Sequence, residues 1–162
     1  VKCLFTMTIQ SQNPKPVKHS VALVMSNRGD LDQILLVLRP EDDDEFPGMW
    51  GLPAASIKPG ETLEDAVRRI GTQKLGVELN LGPQLGFGTQ DRPGYILEMI
   101  LLRAIPERHS PGISVEEPTP NDANLGVTVY SDWRWGNPKA LESSALGGSL
   151  CSQLLLDWLS KK

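Results

Sequence analysis

The side chains best suited to chemistry crowd into one stretch, WGLPAASIKPGETLEDAVRRIGTQKLGV, residues 50–77. It carries Glu61, Arg68, Arg69 and Lys74. Arginine presents a planar fork of donors and lysine a compact point charge, and both recognise phosphate. Arg68 and Arg69 also stand four residues after Glu64 and Asp65, a spacing at which helix side chains meet as surface ion pairs. Lys74 has two readings: its ammonium holds a phosphate, or its stem crosses an apolar patch and carries the charge to water. Glu98 sits inside the apolar run YILEMILL, where a charge is conspicuous, although strand alternation would equally turn it to solvent. The run Glu41-Asp42-Asp43-Asp44-Glu45 matches no cation-loop spacing and reads as a solvated acidic loop. His19 and His109 have no cysteine or second histidine nearby, which argues against a metal site. Trp133 and Trp135 either stack on a base or simply pack.

Holding these groups in place calls for a helix over residues 62–75, capped by Thr62 with Asp65 three positions on and ended by Gly76. Ile70 continues the apolar stripe of Leu63, Ala66 and Val67 and so belongs to the core. Gly71 falls mid-helix, where glycine costs about 1 kcal/mol relative to alanine; it either permits a close backbone contact or is merely tolerated. Residues 17–26 and 33–38 read as strands joined by a turn at 27–30, forming a hairpin in the middle of a sheet. A loop at 39–48 and a short apolar element at 49–53 lead into the helix. Further strands are expected near 77–81, 85–89, 95–104 and 126–133, with a long loop at 110–125. Helices are expected at 137–146 and 148–159. Strands around a central helix, closed by terminal helices, predict a mixed sheet covered by helices.

The chain's 162 residues suit a single domain, taken as residues 17–162 behind a flexible segment at 1–16. Sixteen basic residues against twenty acidic ones give a net charge of −4. No basic surplus drives binding to nucleic acid or anionic membrane, which speaks against both as partners. Apolar runs are too short to span a bilayer. Two cysteines far apart, Cys3 and Cys151, fit a reduced, cytoplasmic protein rather than a disulfide scaffold.

The stretch resembles the Nudix box of MutT-like hydrolases, written G-x5-E-x7-R-E-U-x-E-E-x-G-U with U aliphatic. Glu61, Arg69, Gly76 and Val77 occupy their expected places, and the lead-in WGLP and turn PGET also fit. Ala55 stands where the first glycine belongs. After Arg69 the chain reads Ile70-Gly71-Thr72-Gln73-Lys74, so all three box glutamates are absent. At about 100° per residue, positions 70, 73 and 74 share one helix sector, and carboxylates there would make the hard-oxygen site that Mg²⁺ requires. The resemblance implies an α/β Nudix fold, an α/β/α sandwich with a mixed β-sheet. It implies that Arg69 pairs with Glu61 and braces the box loop.

The pocket is expected beside the box helix and Arg39, with Arg39, Trp50, Arg69, Lys74, Glu98 and Trp133 as substrate-binding residues. No catalytic or metal-ligating residue is assigned, and no cofactor. The expected function is binding of a nucleotide or other diphosphate-containing small molecule with little or no Mg²⁺-dependent hydrolysis. Two alternatives stay open. One is an active pyrophosphohydrolase drawing Mg²⁺ to other acids, such as Glu64, Asp65 or Glu98. The other is a structural or dimerisation module, in which the chain forms a homodimer.

Overall fold

Alternation along the strands builds two cores, one on each face of the sheets. The computed structural model describes residues 14–108, 112–115 and 129–162. Along β1 (Val17–Val24), Val21 and Leu23 enter one core while Ala22 and Val24 enter the other. β3 (Asp30–Leu38) divides in the same way, Leu35 and Val37 against Ile34 and Leu36. Side chains of a strand point alternately to opposite faces, so a run buried throughout must be covered on both sides. The box helix α1 (Leu63–Ile70) covers the first face with Ala66, Val67 and Ile70. The C-terminal helix α3 (Leu150–Ser160) covers the second with Leu150, Cys151 and Leu155. The result is the α/β/α sandwich that the resemblance implied.

Two four-stranded sheets form the middle layer. In the first, β5 (Ala54–Ser56), β1, β7 (Tyr95–Pro106) and β6 (Leu79–Arg92) lie in that order. It is mixed: β1 runs parallel to β7, while β5 and β6 are antiparallel to their neighbours. In the second, β3 pairs with β2 (Ser26–Asn27), β4 (Trp50–Gly51) and β8 (Asp132–Gly136), all antiparallel.

The expected hairpin in the middle of one sheet needs correcting. The chain breaks at Met25, between β1 in the first sheet and β2 in the second. The tight turn itself forms as expected: Arg28 and Gly29 take φ of 55° and 81°, the left-handed pair that a two-residue hairpin turn demands. The strands expected near 77–81 and 85–89 are one long strand, β6. Its register shifts between Leu81 and Gly86, so Gly82 and Pro83 mark a bulged bend rather than a strand end. Of the strand expected at 126–133, residues 126–128 lie outside the described residues; β8 begins at Asp132, where its pairing with β3 opens at Leu38. The helix expected at 137–146 is a 3-10 turn (Pro138–Leu141) leading into α2 (Glu142–Leu146). Most of the long loop at 110–125, the 1–13 segment and Cys3 lie outside the described residues. Among the described residues no helix is long and apolar enough to cross a membrane.

Candidate functional site

The frame of the site is set locally. Thr62 caps α1: its Oγ1 accepts from Asp65 N at 3.1 Å, and its own N–H reaches back to Asp65 Oδ2 at 3.4 Å. This capping box satisfies donors that the first helical turn leaves orphaned. Just ahead, Lys58 N donates to Glu61 Oε1 at 3.0 Å and Glu61 N donates to Lys58 O at 3.0 Å. Gly60, at φ 78°, lets the chain turn between them. Arg69 closes the frame. Its Nε and Nη2 reach the two oxygens of Glu61 at 2.8 and 2.9 Å, and Nη2 also donates to Ser56 O at 2.7 Å. This two-pronged pair is only 14% and 13% exposed, and the hydrogen bonds from Arg69 hold the Glu61 carboxyl down at about 2.

Past α1 the helix widens into a π-helical turn, Gly71–Leu75, ended by Gly76 in the left-handed region at φ 69°. Gly71 is required there. A Cβ on it would lie 2.6 Å from Val77 O and 2.8 Å from Leu79 Cγ, so the mid-helix glycine permits a close approach of two backbones.

The three positions where the resemblance expects carboxylates have separate fates. Ile70 is fully buried in the first core. Gln73 is exposed. Lys74 is buried, 9% exposed, and its Nζ donates to Ala54 O at 2.8 Å. The amine lies 5.3 Å from the centre of the Tyr130 ring. Tyr130, itself buried, donates its hydroxyl to the same carbonyl at 3.2 Å and accepts Ala54 N at 2.9 Å. Burial, and then the charges of Arg39 and Arg69, depress the Lys74 ammonium to about 7, only partly countered by Asp43. Burial pushes the Tyr130 phenol up to about 12. The charge of Lys74 therefore does not reach solvent past an apolar patch; the amine is held inward.

Lys74 opens onto a cavity of about 250 Å³ between β1, β5, the box and the start of α3. Six basic side chains line it, Lys18, Arg39, Lys58, Arg69, Lys74 and Arg92, against one acid, Glu45. In a chain of net charge −4 this is a strong local concentration of positive potential, of the kind that draws in anions. Phe46, Tyr95, Leu97, Met99 and Leu150 supply an apolar wall.

Of the residues expected to bind substrate, the cavity brings together Arg39, Arg69 and Lys74. Arg39 is braced by Asp43, with Nε–Oδ2 at 2.9 Å and Nη2–Oδ1 at 3.1 Å. The other three face elsewhere. Glu98 meets His19 Nδ1 at 2.8 Å across the parallel β1–β7 register and lines a separate groove with Glu61. Trp50 packs against the second core, with the Arg134 guanidinium 4.5 Å from its ring. Trp133 packs against the first core, edge-to-face with Trp135 at 6.2 Å.

Sequence reasoning missed Tyr130, Lys18, Lys58 and Arg92, which carry no local signal. It also treated the acidic run as uniformly solvated, whereas the Asp43 side chain is 7% exposed. Burial pushes the Asp43 carboxyl up, but hydrogen bonds from Arg39 and the Phe46 and Glu45 N–H groups outweigh it and leave it below its ordinary value. The rest of the run is exposed, as expected.

Comparison with known proteins agrees with this fold. A nucleoside triphosphatase, NudI, of Enterobacter sp. (strain 638) is 36% identical over 61 residues, covering 38% of this chain and 41% of the relative. The NudI of Escherichia fergusonii is 43% identical over 47 residues, 29% of this chain and 33% of the relative. The matched stretches thus span well under half the length of these curated relatives. Among solved structures, the MutT protein from Methanosarcina mazei Go1 superposes with a TM-score of 0.60 at 18% identity, over 93% of this chain and 95% of that one. The E. coli ORF135 protein gives 0.59 at 19% identity, over 79% of each chain. These likenesses speak for the fold. The model of the NUDIX domain matches residues 16–145, which takes in the braced box, the six basic residues of the cavity and both sheets, and the chain is accordingly a member of the NUDIX domain family.

Proposed function

We propose that this chain binds a nucleotide or another diphosphate-containing metabolite in the cationic cleft, with little or no Mg²⁺-dependent hydrolysis. The observation that carries this reading is the fate of the box positions: Ile70 in the core, Gln73 exposed, and the Lys74 amine inside a cleft lined by six basic residues. Mg²⁺, which the family implies, wants several oxygen ligands. An aliphatic chain facing the core, an outward amide and an amine among arginines do not fit that ion. The brace of Arg69 on Glu61 and Ser56 O keeps the cleft's shape. Arg39, Lys58 and Arg69 line it as donors for phosphate oxygens, and Phe46 and Tyr95 lie beside them as apolar surface for the remainder of the ligand.

The residues named for relocated catalysis are otherwise engaged. Glu64 pairs with Arg68, Asp65 caps α1, and Glu98 pairs with His19.

Calorimetry with ADP, ATP and pyrophosphate, each in Mg²⁺ and in EDTA, tests the proposal alongside a turnover assay on the same compounds. Binding that persists in EDTA, with turnover at background, is the expected result. Robust Mg²⁺-dependent turnover that Glu98→Gln abolishes would instead favour a hydrolase with relocated ligands.

A further inference from the structure

Lys74 has a chemistry that phosphate binding does not use. Burying an ammonium is costly unless a carboxylate pairs with it. Among the described residues, the acid that acts on Lys74, Asp43, is taken by Arg39, and Glu45, which lines the same cavity, by Arg92. The Lys74 amine is left with a neutral carbonyl, Ala54 O, and the face of Tyr130. Burial, and then repulsion from two guanidinium groups, brings the Lys74 ammonium down to about 7. A desolvated lysine beside other cations is an activated nucleophile. The charged and titratable groups around it and its cavity are Lys18 from β1, Arg39, Asp43 and Glu45 from the end of β3 and the loop after it, Lys58 ahead of α1, Arg69 from α1, Arg92 from β6, Tyr95 from β7, Tyr130 ahead of β8, and Cys151 from α3.

We propose that Lys74 is a carbamylation site, at which its amine captures CO₂ and the new carboxylate faces Arg39 and Arg69. The nitrogen lone pair attacks the carbon of CO₂ and an N–C bond forms. One C=O π pair moves onto oxygen, and the nitrogen gives up a proton to solvent. Counted from the ammonium, one CO₂ is taken up and two protons leave, so the side chain goes from a positive to a negative charge. No oxidant or reductant is involved. The carbamate keeps one N–H, enough to retain the bond to Ala54 O. Its carboxylate replaces a cation–cation repulsion with attraction to two guanidinium groups. The cavity of about 250 Å³ beside the amine leaves room for the added atoms.

The inference shares the cationic cleft with the diphosphate reading and gives it a regulator: a carbamate at Lys74 opposes a phosphate anion in the same place. The two are tested apart, because the carbamate experiment contains no phosphate compound and the calorimetry is run in CO₂-free buffer.

The test is ¹³C NMR of the whole chain in buffer equilibrated with ¹³CO₂. A protein carbamate resonance is expected at pH 8. It should fall at least about tenfold by pH 6 at fixed CO₂, because the amine must first lose its proton. Lys74→Arg should abolish it, whereas Lys139→Arg, at an exposed position outside the cleft, should leave it unchanged. Trapping the carbamate on the unsubstituted protein with an alkyl oxonium reagent, followed by peptide mass mapping, locates the added carbon even if the Lys74 variant folds poorly. Label on the peptide containing Lys74 supports the proposal. Label confined to the N-terminal amine or to other lysines, or no label, overturns it.

Discussion

Replacing Glu61 by glutamine isolates what the brace contributes. In the folded chain the Glu61 carboxyl titrates near 2 rather than at its ordinary 4.5, chiefly because Arg69 donates to both its oxygens. At about 1.36 kcal/mol per pKa unit, that depression has a ceiling of about 3 kcal/mol. The pair lies at the edge of an open cleft, so solvent screening reduces the figure to about 1–2 kcal/mol. The sign follows from linkage. A carboxyl whose folded pKa is depressed contributes stability that is fully present above about 4.5, where the unfolded chain is ionised as well. That stability is lost as pH falls from there towards about 2, where the folded carboxyl finally takes its proton. Glu61→Gln is expected to be less stable than the parent by about 1–2 kcal/mol at pH 7. The difference should shrink towards zero by pH 2–3. Urea unfolding of both proteins at the two pH values measures it. A difference that stays constant with pH would mean that glutamine loses packing rather than charge; no difference at pH 7 would mean that the brace is not a stabilising element at all.

Two further substitutions probe the ends of the same frame. Gly71→Ala puts a methyl 2.6 Å from Val77 O. Backbone cannot yield as a flexible side chain does, so a loss of about 1–3 kcal/mol is expected in thermal or urea unfolding; an unchanged midpoint would show that the π-helical turn adjusts freely. Tyr130→Phe removes the hydroxyl that accepts Ala54 N. The cost of an unpaired buried N–H is about 1–3 kcal/mol, and it should appear as a lower urea midpoint with an unchanged slope.

How much of this was legible beforehand depends on how local each interaction is. The cap joins Thr62 and Asp65 within one helical turn, and residue spacing alone points to it; spacing would have paired Arg69 with Asp65, and only the resemblance pointed to its brace on Glu61. Ile70 followed from helical periodicity. The inward seat of Lys74 did not, because the groups that hold it come from Ala54 and Tyr130, on remote parts of the chain. The break at Met25 was hidden because the apolar run Val21–Met25 continues straight through the end of β1 with no glycine or proline to mark it. The length of β6 was hidden for the opposite reason: Gly82 and Pro83 look like a strand end, yet the chain bulges and goes on pairing with β7. Cavity-lining residues such as Lys58 and Arg92 become a site only once the sheets have brought them to one place.

The single carbonyl of Ala54, which receives both Lys74 and Tyr130, also sets an order of events during synthesis. Tyr130 is separated from Ala54 by 76 positions, so the ribosome releases the box helix well before the tyrosine that shares its acceptor. Until the chain has grown past that tyrosine, the lysine can reach its acceptor but lacks the aromatic wall that shuts water out. A nascent or truncated chain ending before Tyr130 would therefore display the box with an ordinary, hydrated lysine. The enclosed amine arises only when the later part of the chain arrives.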